Sequence, residues 1–142
     1  GTRELAVQDI FDWINNGHTN ICWIYGAPGT GKSHIARDIA AQCAILNILG
    51  GSFFFKRHSR ASAESLVASI AYQLAVSIPE KRSQVGEAIE NDPAILQKPL
   101  AVQMQKLIIT PFLSGATEDS EALRSGSTGS SIVIVIDGLD EC

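Results

Sequence analysis

The sequence predicts an α/β protein in which a parallel sheet is flanked by helices in three layers. An apolar run at residues 21–25 is followed by a glycine-rich turn at 26–33 and then by a helical spacing of apolar residues. A second run, at 132–136, consists only of β-branched residues, which is typical of a strand covered on both faces in a parallel sheet. The segments between these runs show helical spacing.

The first run reads Ile-Cys-Trp-Ile-Tyr, and its β-branched and aromatic residues predict a buried strand at 21–25. The helix after the turn has apolar residues at spacings of three and four. These residues are Ile35, Ile39, Cys43 and Leu46. They predict one apolar helix face. Gly50-Gly51 predicts the end of this helix. A short strand is expected at Phe53-Phe54-Phe55.

Residues 26–33 follow the pattern G-x-x-x-x-G-K-[ST], which predicts a site for nucleotide phosphates. Glycines let the backbone turn tightly and direct several N–H groups toward one anion. Lys32 is expected to reach the β and γ phosphates, and the Ser33 hydroxyl to ligate Mg²⁺. The candidate binding residues here are Gly26, Ala27, Pro28, Gly29, Thr30, Gly31, Lys32 and Ser33. An ordinary glycine-rich turn is the alternative.

The second run leads into Asp137-Gly138-Leu139-Asp140-Glu141. Ligands of open α/β sheets collect outside the carboxyl ends of the strands. If the two runs are parallel strands, Asp137 and Ser33 lie at the same edge of the sheet, and Asp137 can hold Mg²⁺ directly or through water. The alternative is an acidic turn that only caps the strand.

The middle of the chain is predicted to be helical and to serve the core. Apolar residues recur at intervals of four over 66–78, and Pro79 is expected to begin the next helix. Asp92-Pro93 suggests a further helix start, and a last apolar stripe over 100–108 is expected to end at Pro111. Residues 114–131 are rich in Ser, Gly and Thr, so we predict a flexible loop with no role in the active site.

Composition sets wider limits. With 142 residues, 45% of them hydrophobic, the chain is expected to form one domain, 1–142. Its net charge of −4 gives no basic footprint for nucleic acid, and no apolar run approaches the length of a membrane span. Cys22, Cys43 and Cys142 are odd in number and lack metal-ligand spacing, which indicates reduced thiols in the cytoplasm.

The two motifs together resemble those of P-loop NTPases. The acidic segment resembles the NACHT group of signal-transducing (STAND) ATPases, because glycine follows Asp137 where many AAA+ ATPases carry a catalytic glutamate. Gly1-Thr2-Arg3-Glu4 and residues 51–57 and 70–74 are similar to NACHT segments of fungal NLR-like proteins. The resemblance therefore spans nearly all of the chain.

The resemblance implies a role for each motif residue. The Walker A segment would bind the phosphates of ATP or ADP, with Lys32 neutralising their charge. Ser33 and the Walker B residue Asp137 would hold Mg²⁺. Asp140 or Glu141 would orient and polarise the attacking water, and the sequence leaves open which of the two does so.

The resemblance also implies roles for two further residues. Arg3 would lie on the base and ribose side of the nucleotide. His34 stands where Ser or Thr commonly follows the Lys-Ser pair, and it is kept among the candidate nucleotide-binding residues, with a packed or solvated histidine as the alternative. The family strand order is 5-1-4-3-2, so the fourth and fifth strands would follow Cys142. We therefore expect the N-terminal half of a nucleotide-binding domain, inactive and poorly stable by itself.

The implied function is a cytoplasmic, slow ATPase that acts as a nucleotide-dependent switch in signal transduction and innate immunity. Its partners would be an effector domain, a winged helix and a repeat sensor of its own chain, and further copies in an oligomer formed on activation. The alternatives are a scaffold that holds nucleotide without hydrolysis and a P-loop small-molecule kinase. Preference for ATP over GTP is left open.

Overall fold

The computed structural model describes residues 2–17, 21–27, 29–55, 60–113 and 132–138. The elements of these ranges are α1 (Thr2–Asn16), α2 (Lys32–Ile45), β1 (Leu49–Phe54), α3 (Arg60–Ser77), a 3₁₀ turn (Pro79–Lys81), α4 (Arg82–Asn91), a second 3₁₀ turn (Ile95–Gln97), α5 (Leu100–Met104), a π-helix (Gln105–Leu113) and β2 (Val133–Asp137). The predicted loop at 114–131 lies outside the described residues, as do Pro28, Asp140 and Glu141.

The strands β1 and β2 pair in parallel. Leu49 lies opposite Val133 and Phe54 opposite Asp137, with a register shift between Leu49 and Gly51. Beyond the paired residues, the Phe55 N–H donates to the Asp137 carbonyl at 2.9 Å. The carboxyl ends of both strands therefore lie at one edge of the sheet.

Helices α2 and α3 pack against opposite faces of this pair. Phe53 packs against the buried residues of α3 and neighbouring helices. Its neighbour Phe54 points to the opposite face, because side chains alternate along a strand. There the Arg37 guanidinium of α2 lies 5.8 Å from the centre of the Phe54 ring. The helices α2 and α3 therefore lie on opposite faces of the strands.

The main core lies on the α3 side. It combines the buried face of α3 with one residue of α4, one of the second 3₁₀ turn and two of the π-helix. Its buried members are Val67, Ile70, Ala71, Leu74, Ala75, Val85, Ile95, Leu107 and Ile108. Burying one large aliphatic side chain contributes about 1.5–3 kcal/mol, so this cluster supplies much of the hydrophobic stabilisation. None of the described helices is long and apolar enough to cross a membrane.

The buried strand predicted at 21–25 is not formed. No described residue pairs with this segment in the sheet, and Trp23 and Tyr25 are 70% and 92% exposed. Aromatic and β-branched residues favour a strand only where a neighbouring strand bonds its backbone and a second layer covers its side chains. The described part of the chain supplies neither to this segment.

The strand predicted at 132–136 is formed as β2 (Val133–Asp137). We expected other elements to cover both of its faces, but one face is partly exposed. Ile134 and Ile136 are 41% and 38% exposed. These residues share a sheet face with Phe53, and on that face α3 packs over β1. Ile134 and Ile136 stay exposed because α3 lies over β1. The pattern of residues in the sequence does not show where α3 will lie.

Gly50 and Gly51 lie in β1 and do not stop α2, contrary to the prediction. The helix is closed earlier by Asn47, whose φ of 60° is left-handed, and the Ile48 N–H donates to the Cys43 carbonyl at 2.9 Å. A β-carbon on Gly50 would clash with Ile132 and lie 2.9 Å from Leu74 Cδ2. The glycines therefore serve close packing between α3 and the sheet.

The last helical segment continues through Pro111 to Leu113, and the prediction that it ends at Pro111 is wrong. Proline has no N–H, and its ring clashes with the carbonyl four residues earlier in an α-helix. The segment is a π-helix from Gln105, and its wider turn moves the bonding partner to five residues earlier. Of the predicted stripe, Leu107 and Ile108 are buried, whereas Leu100 and Met104 are exposed.

The two described cysteines differ in environment. Cys43 is completely buried, and this burial raises the pKa of its thiol, whereas Cys22 is exposed. Because the thiolate is the reactive form, we expect iodoacetamide to label Cys22 at least about tenfold faster than Cys43. Peptide mass spectrometry of the folded protein, with Cys142→Ser removing the third thiol, measures both rates. Equal rates would contradict the packing of α2.

Candidate functional site

The glycine-rich turn leads directly into α2. Gly29 and Gly31 have φ values of 80° and 89°, in the left-handed region that glycine alone enters without steric cost. A β-carbon at either position would meet nothing within 4 Å, so backbone conformation and not space requires glycine there. Gly31 is the N-cap residue of α2, and its carbonyl accepts the Ile35 N–H at 3.1 Å.

Side chains of the turn bind its own carbonyl oxygens. The Lys32 ammonium donates to the Gly26 carbonyl and, at 3.1 Å, to the Ala27 carbonyl. The Thr30 hydroxyl donates to the Ala27 carbonyl at 2.7 Å. Gly26 must stay small, because a β-carbon there would lie 3.0 Å from the Thr30 hydroxyl oxygen. These bonds hold the ammonium group beside the turn.

The first turn of α2 supplies backbone donors beside that ammonium group. The N–H groups at the start of an α-helix lack intrahelical acceptors, and here they belong to Lys32, Ser33 and His34. The side chains of Ser33 and His34 are exposed. Helix N-termini attract anions through these donors and through the helix dipole. The described part of the turn therefore combines a cation with free backbone donors.

Asp137 ends β2 on the sheet face that α2 covers. It lies opposite Phe54 in the parallel register, so the two side chains point to the same face. Phe54 in turn contacts Arg37, which follows Lys32 by five residues, or about 7.5 Å along the helix. A chain of contacts thus runs from the first turns of α2 to the carboxyl end of β2.

Glycine at position 138 is favoured by its own backbone conformation and by a close neighbour. Its φ is 85°, and a β-carbon would lie 3.0 Å from Phe55 Cβ and 3.3 Å from the Phe55 carbonyl oxygen. A side chain here would be strained by the positive φ and packed tightly against Phe55. Glycine at this position is therefore explained by the backbone, independently of any catalytic role.

Arg3 takes part in an ion pair between helices α1 and α2, in which its Nε lies 3.2 Å from Asp38 Oδ2. An open groove of about 410 Å³ lies beside this pair, lined by α1 and α2. Sequence reasoning missed both Asp38 and Arg37. Two adjacent charges in the middle of α2, among alanines and isoleucines, were a signal that α2 meets other elements there, although the partners could not be read from the sequence.

The donor set for a metal is small. Within the described ranges, no group of three or more His, Cys, Asp or Glu residues could hold an ion. The predicted pair, the Ser33 hydroxyl and the Asp137 carboxylate, consists of hard oxygen donors, which suit Mg²⁺. Mg²⁺ in such sites takes its remaining ligands from phosphates and water. The residues therefore fit a metal that binds together with nucleotide.

The chain was compared with known proteins. A family model described as nephrocystin 3, N-terminal, matches residues 1–142. Neither the curated proteins nor the solved structures yielded a match.

Proposed function

The chain belongs to the nephrocystin 3 N-terminal family. On the glycine-rich turn and the acidic segment, we propose that it is part of a regulatory ATPase of the NACHT type. It binds ATP with Mg²⁺, hydrolyses it slowly and acts as a nucleotide-dependent switch in a larger cytoplasmic, NLR-like protein. The effector domain, winged helix and repeat sensor of that protein, and further copies in an activated oligomer, are its proposed partners.

The conformation of the turn at 26–33 carries this proposal. Two left-handed glycines lead into α2, and the Lys32 ammonium lies beside the exposed start of the helix. A polyphosphate in front of the helix would accept the free N–H groups of its first turn and draw the ammonium from the neutral carbonyls of Gly26 and Ala27. Charge-assisted bonds to phosphate are stronger than bonds to neutral carbonyls, so the exchange favours binding.

The contacts from Arg37 through Phe54 to Asp137 support a shared metal site. They connect the helix that carries Ser33 with the strand end that carries Asp137. Mg²⁺ there would neutralise phosphate charge and orient the γ-phosphate. Ser33 would contribute its hydroxyl, and Asp137 would ligate directly or through water.

Hydrolysis of ATP requires little covalent chemistry from the side chains of the protein. The oxygen of a water molecule attacks the γ-phosphorus, the bond to the β–γ bridging oxygen breaks, and ADP and phosphate leave. Asp140 or Glu141 orients the water and accepts its proton. Loss of the γ-phosphate then removes the contacts that distinguish the two states of the switch.

Arg3 is proposed to lie on the base side of the site. The groove beside its ion pair with Asp38 has a volume of about 410 Å³, within the range of about 300–1,000 Å³ that is common for small-molecule sites. Phe11 and Val7 supply apolar lining there, as the face of a nucleotide base requires.

The test is a titration of the full-length protein with fluorescent ATP, with and without Mg²⁺, followed by analysis of the products. Magnesium-dependent binding with slow release of ADP and phosphate is the expected result. Bound ADP released on denaturation without any turnover would favour the scaffold, and phosphate transferred to a small molecule would favour the kinase. Absence of magnesium-dependent binding would overturn the proposal.

A further inference from the structure

Ser52 of β1 and Gln73 of α3 meet on the outer side of β1. The Ser52 N–H donates to Gln73 Oε1 at 2.8 Å, and Gln73 Nε2 donates to the Ser52 carbonyl at 2.8 Å. The side-chain amide of Gln73 thus occupies both backbone groups of one strand residue. A residue of a neighbouring strand would make the same pair of bonds.

Ser52 faces the edge of β1 that points away from β2. Backbone N–H groups alternate between the two edges along a strand. Since the Phe55 N–H bonds to β2, the Ser52 N–H, three residues earlier, points to the other edge. One helical turn after Gln73, the Ser77 hydroxyl lies 3.4 Å from the carbonyls of Leu49 and Gly50 and donates there. Side chains of α3 therefore line this edge.

The local packing determines the orientation of the Gln73 amide. Its Nε2 also donates to the Ser69 hydroxyl at 3.1 Å, so both N–H groups have acceptors while Oε1 accepts from Ser52. The helix can approach because Gly51 has no side chain: a β-carbon there would lie 3.3 Å from Gln73 Cβ and 3.4 Å from Ile70 Cδ1.

The strand itself lacks the usual protection against strand addition. Residues 49–55 read Leu-Gly-Gly-Ser-Phe-Phe-Phe, without charge or proline. Exposed strand edges template pairing with another chain, and natural proteins protect them with charges, prolines or covering elements. An uncharged segment rich in aromatic residues is also typical of self-associating strands. The occupant that this edge fits best is therefore β1 of a second copy.

We propose that Gln73 closes the outer edge of β1 against strand addition by a second copy of the chain and so makes β1 the terminal strand of this sheet. This inference does not depend on nucleotide binding. Gln73 keeps both edge groups of Ser52 bonded within the monomer, so a competing strand has no free donor and acceptor with which to begin pairing.

The test uses Gln73→Met in the full-length protein, because methionine keeps the length and flexibility of glutamine without its amide. At dilute concentration, where the protein is monomeric, we expect hydrogen exchange of the Ser52 amide to become about tenfold faster. At higher concentration, sedimentation should show a dimer that the wild type lacks. Gln84→Met, at an exposed position of α4, is the matched control and should change neither result.

Two further variants separate edge pairing from misfolding. Ser52→Pro combined with Gln73→Met removes the edge donor, and the double variant should again be monomeric. Gln73→Glu loses the donor to the Ser52 carbonyl and sets a carboxylate oxygen against it, so the Ser52 amide should exchange faster. The protein should nevertheless stay monomeric, because a charge at a strand edge opposes pairing. Persistent self-association of the double variant, or a dimer of Gln73→Glu as stable as that of Gln73→Met, would overturn the proposal. Unchanged exchange of the Ser52 amide in Gln73→Met, or a Gln73→Met protein that stays strictly monomeric, would also overturn the proposal.

Discussion

Replacing Lys32 by alanine is expected to abolish nucleotide binding by the full-length protein, with affinity for labelled ATP falling at least about a hundredfold. The described turn at 26–33 contains one cationic side chain, and its ammonium lies at the Gly26 and Ala27 carbonyls beside the start of α2. Without it, the turn offers the phosphates only backbone N–H groups, and the remaining charge would be left to the metal. Fluorescence titration with and without Mg²⁺ measures the loss.

The control for this variant is Lys106→Ala, which removes the same charge from an exposed position of the π-helix. It should bind ATP like the wild type. Thermal unfolding without nucleotide should also be similar in the two variants, because the hydrogen bonds of Lys32 are exposed and each contributes about 1 kcal/mol or less. Unchanged ATP affinity in Lys32→Ala would refute the assignment of this turn to phosphate binding.

Replacing both acids that follow Gly138-Leu139 in the sequence by amides, Asp140→Asn with Glu141→Gln, is expected to stop hydrolysis and spare binding. An amide can still orient water but does not accept its proton, and positioned general bases contribute about 10²–10⁴ in rate. We therefore expect phosphate release to fall at least about a hundredfold while ATP affinity changes by less than about threefold. The two single variants identify which residue carries the effect.

Glu87→Gln on the exposed side of α4 serves as the control for loss of a carboxylate and should hydrolyse ATP like the wild type. Phosphate release from the double variant at the wild-type rate would contradict a role for these acids in positioning water. Equal losses of binding and of turnover would instead assign them to metal binding together with Asp137.

Elements with a strong local signal were predicted well. The helix after the glycine-rich turn begins at Lys32, a helical turn begins at Pro79, and a strand ends at Asp137. Each of these depends on residues close in sequence: a glycine turn, a proline at a first helical position, and a run of β-branched residues. The three-layer P-loop architecture as a whole stays a prediction.

Predictions that needed a neighbouring element failed. The run at 21–25 has the composition of a strand, yet a strand also needs a partner, and no described segment pairs with it. Gly50 and Gly51 look like a helix stop, but their role is to let α3 approach the sheet. Pro111 is an ordinary helix breaker in an α-helix and is accommodated here by a π-helical turn.

The candidate site divides in the same way. The left-handed glycines of the turn and the position of Lys32 at the start of α2 are local requirements, so the sequence by itself determined them. The contacts between Arg37 and Phe54, between Arg3 and Asp38, and between Gln73 and Ser52 join residues from different elements. Only the tertiary structure decided these, because the direction of a side chain follows from local conformation, whereas its partner depends on how distant elements pack.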